Sequence, residues 1–172
     1  GEATVDINAS AAITLAATTI PVTVGGIPFY ADTSNGSIYT HDVSGTDDTA
    51  ANNTAYGLTA LDAVTTGDKI TAIGHNAGGA NTTGGNGTFI GYNAGAANIG
   101  AHENTFIGSA AGASVTSGGG NIMIGREAGD GFDAETHNLG IGVGALGGAI
   151  NGGEYNVALG NYTLDALTSA DR

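Results

Sequence analysis

The chain contains no cysteine and no tryptophan, and only two prolines in 172 residues. Without cysteine there is no disulfide framework, no thiolate zinc site and no thiol nucleophile. Positive charge is almost missing too. Lys69, Arg126 and Arg172 face sixteen acids, for a formal net charge of −13. Three cations cannot neutralise a phosphate backbone, so nucleic-acid binding is excluded as a partner class, and anionic lipid is disfavoured for the same reason. Long hydrophobic runs are also lacking. The longest apolar stretch, Ala11 to Val24, is interrupted by four threonines and Pro21. It is too short and too polar to span a bilayer and lacks the basic flank of a signal peptide, so no membrane insertion is expected. Proline scarcity and the absence of a three-residue glycine period exclude collagen.

What is abundant is glycine, 32 residues in all, more than twice the usual share of about 7%. Its placement is periodic. Asn-Thr-Ala-Tyr-Gly at 53–57, Ile-Thr-Ala-Ile-Gly at 70–74 and Gly-Thr-Phe-Ile-Gly at 87–91 open the series. Asn-Thr-Phe-Ile-Gly at 104–108, Asn-Ile-Met-Ile-Gly at 121–125, Asn-Leu-Gly-Ile-Gly at 138–142 and Asn-Val-Ala-Leu-Gly at 156–160 continue it. The closing glycines, Gly57, Gly74, Gly91, Gly108, Gly125, Gly142 and Gly160, are spaced 17, 17, 17, 17, 17 and 18 residues apart. Three residues after each stands alanine, or Thr163 in the last repeat. Helical-pair repeats and propeller blades need about 33 residues or more. A 17-residue period instead predicts an all-β parallel solenoid, a β-roll of about seven coils, with a short strand before each glycine and a corner at it. Stacking at about 4.8 Å makes it a rod of roughly 30 Å.

The column before the glycine reads Tyr56, Ile73, Ile90, Ile107, Ile124, Ile141 and Leu159. It is taken as the ladder of the coil's own core. Two residues before the glycine the column includes Phe89, Phe106 and Met123 and carries no polar group. Alternation places it on the opposite strand face, and a strand apolar on both faces is buried on both. One thin coil covers one face, so Phe89, Phe106 and Met123 are the candidates for packing on another chain, with loops of the same chain as the alternative cover. Asn53, Asn104, Asn121, Asn138 and Asn156 head most repeats. They either form amide ladders between coils or initiate turns. Thr54, Thr71, Thr88 and Thr105 form a further column. Its replacement by Ile122, Leu139 and Val157 suggests that it faces inward.

The repeat over roughly residues 52–164, with Asn104-Thr105-Phe106-Ile107-Gly108 and Thr88-Phe89-Ile90-Gly91-Tyr92-Asn93-Ala94-Gly95 as its fullest copies, resembles two families. It is similar to the head repeat of trimeric autotransporter adhesins, and more closely to the Asn-Thr-Ala-x-Gly-x-x-Ala arrays of bacteriophage tail fibres and related virion proteins. That resemblance implies a left-handed β-roll, an interlocked homotrimer, and a setting on a virion surface or, alternatively, a cell surface.

Residues 1–50 lie outside the repeat and read as a β-rich attachment or capping segment, leaving 51–172 as the roll. Ile27–Asp32 and Ser37–His41 flank Thr33-Ser34-Asn35-Gly36 as a hairpin, and this segment is where other virion proteins would attach. No catalytic constellation, cofactor fingerprint or metal-ligand spacing is present. His41, His75, His102 and His137 fall at different repeat phases and read as surface or turn residues. Asp130, Asp133 and Glu135 form an acidic link that is either solvated or a weak cation site. The expected function is therefore non-enzymatic: a trimeric tail-fibre or adhesion module whose variable links meet a host glycan or protein. A capsid decoration protein and a bacterial adhesin or filament subunit are alternatives, and an ice- or carbohydrate-binding solenoid is a more remote one.

Overall fold

The computed structural model describes residues 22–24, 27–32, 34–40, 49–148 and 152–166. Among these there is no helix. Three strands precede the repeats: β1 Val22–Val24, β2 Ile27–Asp32 and β3 Ser37–Tyr39. Each repeat then contributes three residues: β4 Thr54–Tyr56, β5 Thr71–Ile73, β6 Thr88–Ile90, β7 Thr105–Ile107, β8 Ile122–Ile124, β9 Leu139–Ile141 and β10 Val157–Leu159. All ten lie in one sheet in chain order. β1, β2 and β3 pair antiparallel, and every pair from β3 onward is parallel. From β4 the register is strict, so that Thr54, Thr71, Thr88 and Thr105 are successive partners. This is the expected parallel β-solenoid of about seven coils.

The corner glycines show why the period is held. Gly108 has φ +138°, and a Cβ there would lie 2.4 Å from the Gly125 carbonyl oxygen of the next coil. The same clash recurs from Gly57 to Gly142, so adjacent corners stack backbone on backbone. A second set of positive-φ sites lies four residues later, and its occupants follow the core volume. Where the middle strand residue is Phe89, Phe106 or Met123, the turn carries Gly95, Gly112 or Gly129, and a Cβ there would meet that side chain at 2.6–2.7 Å. Where the strand residue is Ala55, Gly140 or Ala158, the turn carries Leu61, Leu146 or Leu164, each left-handed at φ 54–56°. At the remaining coil both are small, Ala72 and Gly78, and Phe89 and Leu61 from the neighbours close over Gly78.

These contacts place Phe89, Phe106 and Met123 inside the coil, at no more than 1% exposure. The assignment of the two strand faces from sequence is thus reversed. Phe89, Phe106 and Met123 are not an inter-chain face; they fill the lumen, with the Phe89 and Phe106 rings 5.7 Å apart. The ladder Tyr56, Ile73, Ile90, Ile107, Ile124, Ile141 and Leu159 is not the core. It stands outward, half-buried to exposed, with Tyr56 at 49% and Leu159 at 63%. The threonine column shares this outer face, so its interior placement is corrected as well. The physical reason is room. The alanine and glycine columns of the turn leave room in the lumen for the middle strand residue, which packs inside with later residues of the coil such as Val115 and Phe132, both fully buried.

The asparagines form the ladder rather than isolated turns. Asn104, Asn121 and Asn138 are buried, and each accepts through Oδ1 from the backbone N–H of the next asparagine at 2.8–2.9 Å. Their Nδ2 groups donate to the carbonyls of Gly118, Glu135 and Gly153 at 2.7–2.9 Å. Asn53 does the same with Ile70 N–H and the Gly67 carbonyl. Each staple joins adjacent coils, with a net value of about 1 kcal/mol per bond.

The hairpin over β2 and β3 forms as expected, through a turn at 34–36 with Gly36 at φ +70°. β3 imitates a coil. Tyr39 is buried over the first lumen, Ser37 Oγ accepts from Asn53 N–H at 2.9 Å, and Thr40 Oγ1 accepts from Gly57 N–H at 2.8 Å. Of the strand-like stretch from Ala11 to Val24, only β1 falls within the described residues.

Candidate functional site

Seven parallel strands carry two outward columns each. One column is Thr54, Thr71, Thr88, Thr105, Ile122, Leu139 and Val157, and the other is the Tyr56 to Leu159 ladder. At about 4.8 Å between strands and 6.8 Å between columns, the face is about 29 Å long and covers on the order of 200 Å². None of its side chains is charged. Its uncharged, regular composition along the whole rod makes this face the candidate contact surface. Its composition changes along the rod: threonine heads β4 to β7, and aliphatic residues head β8 to β10.

Away from this face the links carry polar chemistry. Reading one link position down the stack gives Asp68, Gly85 and His102. A depression of about 190 Å³ opens beside the buried backbone of Gly85. Thr66 and Thr83 border one side, Lys69 and Asn86 the other. Two of the flanking groups are held by neighbouring backbone. Asp68 Oδ1 accepts from Ala51 N–H at 2.7 Å, and His102 Nδ1 accepts from Gly85 N–H at 2.9 Å. That bond leaves the neutral imidazole its proton on Nε2. The sequence reading missed this group because it treated the links as variable loops; aligning them as columns brings the three coils together.

The other histidines also lie on the surface. His75 stacks on Tyr92 with centroids 5.6 Å apart, and His137 on Tyr155 at 5.0 Å; His41 lies outside the described residues. The acidic link is tied into the coil. Glu135, only 8% exposed, accepts from the N–H groups of Asp133, Ala134 and Gly152 at 2.8–3.1 Å, and the Thr116 hydroxyl donates to Asp133. Asp130 has its pKa raised above 3.8, first by burial and then by the Glu127 charge. Among the described residues, no three His, Cys, Asp or Glu side chains come together to hold a metal ion, and no helix is long and apolar enough to cross a membrane.

Comparison with protein-family models, with curated proteins and with solved structures finds no match.

Proposed function

We propose that this chain is a non-enzymatic structural module of a surface fibre, in which three copies pack through the outward strand face. The observation that carries this reading is the Tyr56 to Leu159 ladder. All seven positions of this column are Tyr, Ile or Leu, although nothing in the coil itself requires an apolar side chain there. A second copy of the chain is the occupant that fits, because it presents the same row at the same 4.8 Å spacing, and two regular rows interdigitate along their whole length. The uncharged face also brings no like charges together, whereas the rest of this acidic chain would. The number three and the virion setting come from the resemblance to phage tail-fibre and autotransporter head repeats. In that setting the segment 1–50 attaches to other virion proteins, and the links face a host surface. A capsid decoration protein or a bacterial surface adhesin would use the same face in the same way.

Light scattering on the 172-residue chain tests this. The expected mass is near three times the 16.6 kDa of one chain. Ile107→Asp, which sets a charge into the middle of the face, is expected to give a folded monomer. A wild-type monomer overturns the reading. It would favour a second one, supported by the outward row of Thr54, Thr71, Thr88 and Thr105: a flat, regularly spaced hydroxyl array that binds ice or a crystalline carbohydrate. Thermal hysteresis of the monomer would identify it.

A further inference from the structure

We propose that the depression beside Gly85 is a binding site for one neutral pyranose unit of a glycan. The inference gives the surface-attachment reading its ligand class and rests on that reading. The first argument is the donor and acceptor set. A pocket of donors alone selects an anion, and one of acceptors alone selects a cation. Here a carboxylate, Asp68, and an ammonium, Lys69, border the same space. An anion would meet Asp68 and a cation would meet Lys69. A hydroxyl group both donates and accepts, so a ring bearing several hydroxyls satisfies both.

The second argument is which groups remain available. Among the described residues, the hydroxyls of Thr66 and Thr83, the Lys69 ammonium and the Asn86 amide have no protein hydrogen-bond partner. The two groups that do, Asp68 and His102, are each held from one side by a backbone N–H. Asp68 keeps its second oxygen and His102 its Nε2–H for a ligand. Groups fixed in this way bind without the cost of ordering them.

The third argument is size. The depression, about 190 Å³, is small and open to solvent, so one ring can lie in it while the remainder of a glycan stays in solvent.

The test is saturation-transfer NMR with the methyl glycosides of glucose, galactose, mannose and N-acetylglucosamine, and with N-acetylneuraminic acid and glucosamine as anionic and cationic comparators. At least one neutral glycoside is expected to bind saturably and better than either charged sugar. Thr83→Tyr, an exposed position whose new ring would occupy the depression, is expected to abolish binding while leaving the light-scattering mass unchanged. Asp68→Asn is expected to weaken it about tenfold, through loss of a charge-assisted hydrogen bond. Absence of binding by every neutral glycoside, preference for a charged sugar, or full binding by Thr83→Tyr overturns the proposal. The mass separates the two readings. A trimer that ignores sugars removes the site and leaves the fibre, whereas a sugar-binding monomer removes the fibre and leaves the site.

Discussion

Phe106→Ala and Ile107→Asp change adjacent residues on opposite faces of one strand, and their consequences should differ in kind. Phe106 is fully buried. Its ring lies against Gly112, where a Cβ would come within 2.7 Å, and against the Phe89 ring at 5.7 Å. Truncation to alanine removes the transfer free energy of the ring and leaves a cavity, a combination worth about 3–5 kcal/mol. The cavity has little means of closing. Its walls are backbone at Gly95 and Gly112, tied to the next coil by bonds to the Ala111 and Ala128 carbonyls at 2.9 and 2.8 Å. The loss is therefore expected near the middle of that range, about 4 kcal/mol. Ile107→Asp puts its carboxylate on the outer face, where water solvates it, and is expected to cost the single chain under about 1 kcal/mol. The assay is urea unfolding of Ile107→Asp with and without Phe106→Ala, so that both measurements refer to the monomer. The midpoint should fall while the slope with denaturant stays constant. A cost below about 1 kcal/mol for Phe106→Ala, or outright unfolding of Ile107→Asp, would mean that the strand faces the other way and would refute the reasoning.

Three further outcomes are expected. Gly108→Ala places a Cβ 2.4 Å from the Gly125 carbonyl oxygen at φ +138°. Both coils must separate locally, so a loss of at least about 3 kcal/mol is expected, read as a fall in melting temperature; an unchanged melting temperature would contradict the stacked corner. Asn121→Ala leaves the Asn138 N–H and the Glu135 carbonyl unpartnered inside the coil. It is expected to cost about 2–4 kcal/mol in the same urea assay, and a cost below 1 would refute the ladder. Asp130 has a raised folded pKa, so its ionised form is the one disfavoured by folding. Asp130→Asn should be more stable than wild type at neutral pH. The gain should shrink as pH falls through the raised pKa and vanish below the ordinary value of 3.8, where the wild-type carboxyl is protonated in both states. A melting-temperature difference that holds constant from pH 7 to pH 3 would contradict this.

The sequence made the period, the corner glycines and the strand positions legible, because each depends on local backbone geometry. Gly57 to Gly160 mark the corners, and the three residues before each form the strand. Which face turns inward was not legible from alternation, since period-two patterning separates two faces without orienting them. The clue lay in pairs of columns. Phe89, Phe106 and Met123 occur with Gly95, Gly112 and Gly129, while Ala55, Gly140 and Ala158 occur with Leu61, Leu146 and Leu164. Only side chains that share one enclosed volume need to compensate each other's size in this way. The Ile107 column shows no such partner, as expected of a row facing out of the coil. The depression beside Gly85 stayed hidden for a different reason. Thr66, Thr83 and His102 come from three coils and acquire a common position only when the links are aligned at the 17-residue period.

That contrast between compensated and uncompensated columns separates what the fold requires from what it leaves open. In a stacked repeat, each coil contacts only its neighbours. The lumen is settled by volume, and its edges by asparagine staples and stacked corners. The outward columns meet neither demand. Threonine in β4 to β7 and aliphatic residues in β8 to β10 hold the same register, so the coil accepts either. Exposed turn positions of the same coils accept Asp62, Glu103 and Asp133. Lysine or glutamate in the Ile107 column would therefore cost the single coil little and would blunt an exposed sheet face against association. The proposed packing of a second copy on this face would account for the persistence of Tyr, Ile and Leu through all seven coils, since the same ladder would meet it at every rung.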